Sequence, residues 1–129
     1  MLHAPPMEPL IYTLIRAADW WDAQAAGAYR GSADDARDGF LHFSTAAQLR
    51  ATAAKHRAGV ADLWLLEAEA AALGEALRWE TASGQRSTTP AGPGLFPHLY
   101  GPLPLAAIRR ALPVPLGPDG LHRFPDDVA

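Results

Sequence analysis

The sequence predicts a compact α+β domain with two small, largely antiparallel sheets and two or three helices. Three observations lead there. A length of 129 residues suits one domain. Short β-branched and aromatic runs first alternate with helical stretches, then follow one another directly, which favours antiparallel pairing. The hydrophobic share of 49% contains 27 alanines, leaving 36 large apolar side chains. The core is therefore modest, and alanine, a strong helix former, fills the helices.

Each element has its own local reason. Residues 1–9 read as a flexible lead, residues 10–125 as the domain and 126–129 as a tail. Ile11–Ile15 is the first strand. Asp19 is placed to cap a helix over DWWDAQAA, which Gly27 ends. Gly31–Gly39 is polar without clear period, and Phe40–Ser44 is a second strand. Thr45 and Gln48 form a capping box that opens a helix running through Arg57 to Gly59. Asp62–Ala68 is apolar on both faces, the pattern of a central strand covered on both sides. Leu77–Glu80 is a short strand, 81–94 a long loop, and LFPHLY an extended segment because Pro97 disfavours helix before it. Leu105–Val114 is a weaker apolar stretch, and Pro118-Asp119-Gly120 marks a turn.

Composition excludes several classes. There is no cysteine, hence no disulfide framework and no thiolate nucleophile. No apolar run approaches the ~18–20 residues that span a bilayer, so no membrane association is expected. Met1–Leu10 carries three prolines and no basic-then-apolar signal, which points to the cytoplasm. Fourteen acidic and eleven basic residues give a net charge of −3, which argues against a nucleic-acid partner. The helix at Arg50, Lys55, His56 and Arg57 is a local basic exception. A monomer is expected.

Strand alternation places the candidate chemistry. In FLHFS, Leu41 and Phe43 face the core, so His42 and Ser44 share the other face. In LRWE, Leu77 and Trp79 point in while Arg78 and Glu80 point out. In FPHLY, Phe96, His98 and Tyr100 share a face. Each could equally be a surface or structural residue. Together they could form an acid–base or binding site, since histidine exchanges protons near neutral pH and a carboxylate can fix its tautomer. Ser44 lies in no G-x-S-x-G elbow and the histidines lack metalloprotease spacing, so neither a serine triad nor a metal site is read.

IYTLI, ADW, G-x-Y at 27–29, DGFLHFS at 38–44, Gln48, DLWLL, LRWE and FPHLYGPL occur in that order. Over residues 10–125 this string resembles the small bacterial proteins of the domain of unknown function 952 family. The family resembles a compact, divergent relative of the ADP-ribosyltransferase superfamily, whose members bind NAD or ADP-ribosylated products between small sheets. The resemblance implies His42, Glu80 and His98 as catalytic residues, and Ser44, Tyr100, Phe96, Thr13 and Trp20 as ligand contacts. It implies a nucleotide-like ligand, NAD or ADP-ribose, and a transferase or phosphotransferase. Thr13, with Arg16 just beyond, stands where active transferases place His or Arg, and their acidic E-x-E turn is missing unless the separated Glu67 and Glu69 are its relic. The alternative is a non-catalytic interaction or regulatory module in which the same residues are structural.

Overall fold

The structure is a computed structural model that describes residues 9–81 and 94–128. In chain order it contains β1 (Leu10–Arg16), α1 (Ala17–Ala26), β2 (Ala28–Tyr29), α2 (Ala33–Asp38), β3 (Leu41–His42), α3 (Ala46–His56), β4 (Leu63–Glu69) and a 3-10 stretch, Ala70–Ala76. Then come β5 (Leu77–Glu80), β6 (Phe96–Leu99), β7 (Leu103–Pro104), a 3-10 turn, Leu105–Ala107, and β8 (Ile108–Pro113). All strand pairs are antiparallel.

Among the described residues there are three sheets rather than the expected two: β1-β4-β8, the ribbon β2-β7, and β3-β6-β5. The ribbon escapes sequence reading because two-residue strands carry too little period to recognise. An isolated bridge between Tyr12 of β1 and Ser44, just past β3, has backbone bonds of 2.8 and 2.7 Å.

The central strand β4 is covered on both faces, as its continuous apolar run predicts. Leu66 and Ala68 pack with Ile11, Ile15, Trp20, Leu41 and Leu99 in one cluster. Leu63 and Leu65 pack with Tyr12, Leu14, Leu49, Ala53, Val114 and Val128 in a second. Burying each large aliphatic side chain contributes roughly 1.5–3 kcal/mol. Val128 is fully buried, so the segment expected as a tail closes the second cluster. Arg110 holds that segment from outside through Asp127 at 3.1 Å.

Helix ends follow local chemistry. Thr45 accepts from the Gln48 N–H and Gln48 reaches back, the capping box expected of α3. Gly27 ends α1 with φ 88°, the left-handed conformation that favours glycine. Asp19, expected as the cap of α1, instead lies within its first turn, because Arg16 runs directly from β1 into the helix. The stretch 31–39 folds as α2, opened by a second capping box between Ser32 and Asp35. Three turn-like aspartates hide that helix from a reading based on period. The greater part of the expected loop 81–94 lies outside the described residues.

Candidate acid–base and ligand site

Cross-strand register assembles the polar residues. In β3-β6-β5, His42 lies opposite His98, His98 opposite Arg78, and Glu80 opposite Phe96. Directly paired side chains share a face. One face therefore carries His42, His98, Arg78, Glu80 and Phe96. The other carries Leu41, Leu99, Leu77 and Trp79, which pack into the first core cluster.

Two histidine–carboxylate assemblies stand on the polar face. The first is half exposed. His42 Nδ1 lies 2.5 Å from Asp35 Oδ1, and its Nε2 lies 2.9 Å from Asp38 Oδ2. Asp35 also accepts the Ser32 N–H at 2.7 Å and the His42 N–H at 3.2 Å. Hydrogen bonding to Asp35, helped by the charges of Asp35 and Asp38, outweighs burial and raises the pKa of His42. Burial pushes Asp35 upward, but bonds from the His42 ring and from two backbone N–H groups outweigh it and hold the carboxyl below its ordinary range.

The second assembly is buried. His98 Nδ1 lies 2.9 Å from Glu80 Oε1, which also accepts the Tyr100 hydroxyl at 2.7 Å. Burial lowers the pKa of His98 and outweighs the opposing pull of Glu80. For Glu80 the balance reverses. Burial raises its pKa, yet bonds from Tyr100 and His98 outweigh that and keep it ionised. A neutral His98 beside an ionised Glu80 carries its proton on Nδ1 and leaves Nε2 as an acceptor. Phe40 stacks on His98 with centroids 4.0 Å apart and lies 5.3 Å from the Tyr100 ring. Arg78 covers the Tyr100 ring at 4.4 Å.

The two imidazoles are 5.7 Å apart, centroid to centroid, and edge-on. One is protonated more readily than free histidine and the other less readily. Environments that push proton affinities apart are a hallmark of acid–base pairs. A hollow of 330 Å³, lined by neither histidine, lies beyond Asp35 and Phe40, with Arg30, Leu41, Leu99 and Pro102 on its walls. Among the described residues no group of three or more His, Cys, Asp and Glu is arranged to hold a metal ion.

The structure thus gathers His42, Glu80, His98, Tyr100 and Phe96 on one face. It places the other expected ligand contacts elsewhere. Thr13 donates to the His42 carbonyl at 2.9 Å, so it fixes the strand rather than the ligand side. Ser44 lies beyond the two-residue β3 and donates to Thr52 of α3 at 3.2 Å. Trp20 packs in the core 6.3 Å from Trp64. Glu67, weighed as an acidic-turn remnant, is buried with Tyr12 and Arg110. Sequence reading missed Asp35 and Asp38, and put Arg78 and Phe40 on the right faces without assigning them a role. Two signals could have found the aspartates: the S-x-x-D spacing from Ser32 and the four-residue interval from Asp38 to His42.

A small three-sheet α+β protein with paired histidine–carboxylate assemblies is the class that fold and site define. The chain belongs to the family described as "Protein of unknown function (DUF952)", whose family model matches residues 14–111. The crystal structure of protein CC0527 from Caulobacter crescentus, a structural genomics target, is 40% identical with TM-score 0.81, over 92% of this chain and 97% of that one. The solution structure of the same protein is 40% identical with TM-score 0.77, over 92% and 96%. No curated protein matches the chain.

Proposed function

We propose that the polar face of β3-β6-β5 binds a nucleotide-like ligand of the NAD or ADP-ribose kind and that the protein acts on it as a divergent transferase. One observation carries the reading. His42 and His98 are partners in register with opposite shifts in proton affinity. His42 is the proton donor, since its ring is the exposed one. Arg78 has no ion-pair partner among the described residues and can receive an anionic group, while the half-buried Tyr100 beside it offers aromatic surface. Glu80 and His98 are both too buried to reach a ligand; Glu80 positions His98 and Tyr100, and His98 acts through the neighbouring His42. Thermal shift with NAD, ADP-ribose and a cyclic nucleotide tests this. At least one should raise the Tm of the wild type but not of His42→Ala. No shift with any of them sinks the reading.

The burial of Glu80 and His98 favours a second reading, a non-catalytic module in which both residues hold the sheet together. Under it, none of these ligands shifts the Tm, and His42→Ala leaves every property but stability unchanged.

A further inference from the structure

A second cavity, of 210 Å³, lies apart from His42 and His98, between β1, α1, the start of α2 and the end of α3, with His56 on its lining. Its floor is apolar, from Leu14, Ile15 and Val60. Four formal charges line it: Arg16, Asp19, Asp34 and Arg57. Two are matched from outside. Arg16 binds Asp62 at 2.7 Å, and Asp34 binds Arg37 at 3.1 Å. Asp19 and Arg57 are different. Among the described residues neither makes an ion pair; the Asp19 charge acts on Arg16, which is already paired with Asp62, and the Arg57 guanidinium makes a long bond, 3.3 Å, to the His56 carbonyl. Both line this one small space, together with Tyr29.

We propose that this cavity binds a small zwitterion of amino-acid size, its carboxylate held by Arg57 and its ammonium by Asp19, with its carbon chain on Leu14 and Val60. A lone anion would leave Asp19 unmatched and a lone cation would leave Arg57 unmatched, so a lining of both signs selects a ligand of both signs. The volume lies below the roughly 300–1,000 Å³ of pockets for larger ligands, which sets the size class. The site is independent of the histidine face.

The experiment is a methyl NMR titration of the full chain with glycine, β-alanine and 4-aminobutyrate, and with acetate and methylammonium as single-charge controls. Saturable shifts of the Leu14, Ile15 and Val60 methyl signals are expected for at least one zwitterion, with a dissociation constant on the order of 1 mM. Acetate and methylammonium should bind about tenfold more weakly or worse, the change expected for losing a charge-assisted bond. Asp19→Asn and Arg57→Gln should each weaken the zwitterion by a similar factor, and His42→Ala should not. No saturable shift overturns the proposal. So does acetate binding that equals the best zwitterion and ignores Asp19→Asn.

Discussion

His42 and His98 are the same residue type, face each other across one strand pair and each bind a carboxylate, yet their proton affinities move in opposite directions. The difference is burial. The side chain of His42 is 38% exposed and contacts two carboxylates, whereas that of His98 is 2% exposed and contacts one. Where water still reaches the ring, carboxylate partners decide the charge; where it does not, desolvation decides. A histidine's role therefore follows from its depth as much as from its partner.

The strongest way to break this comparison is to remove the buried carboxylate. Glu80→Ala leaves the buried His98 Nδ1–H without its acceptor, at about 1–3 kcal/mol for an unmet buried donor. Urea denaturation should show that loss. A change under about 0.5 kcal/mol, the range of ordinary surface substitutions, would mean that the assembly is open to water.

The next effect is on pH dependence, and its sign differs between the two rings. The raised pKa of His42 gives stability that is full below the ordinary value of 6.5 and is lost as pH rises through the folded pKa. The lowered pKa of His98 gives stability that is full above 6.5 and is lost as pH falls through the folded pKa. His42→Asn should thus flatten the stability profile on the alkaline side of 6.5, and His98→Gln on its acid side. Imidazole NMR titration should place the two midpoints on opposite sides of that value. Midpoints in the reverse order would refute the burial argument.

Smaller effects sharpen it. Thr13→Val removes a bond to the His42 carbonyl and should lower stability by about 1 kcal/mol; Tm and the His42 titration should shift together. Arg78→Gln removes one exposed cation–π contact, worth about 0.5–1 kcal/mol. If Arg78 also receives an anionic group, ligand-induced Tm shifts should fall far more than stability does.

Much of the site was legible because strand alternation is local. FLHFS, LRWE and FPHLY each place their polar residues on one face, and β5 and β6 form with that alternation intact. Ser44 shows where the rule ends. Strand β3 stops at His42, so Ser44 no longer shares its face and turns to Thr52 on α3. Trp20 shows another limit, because an aromatic beside a helix start reads alike whether a ligand or Trp64 covers it.

The sequence by itself determined the α+β class, the covered central strand, the capping of α3 and the stop at Gly27, since each depends on residues a few positions apart. Only the tertiary structure decided that Asp35 and Asp38 belong to His42, that Phe40 stacks on His98, that Arg78 covers Tyr100 and that Val128 completes a core. It also set the charge on each histidine. Proton affinity depends on how much water remains at a ring, and that depends on chain segments far apart in sequence.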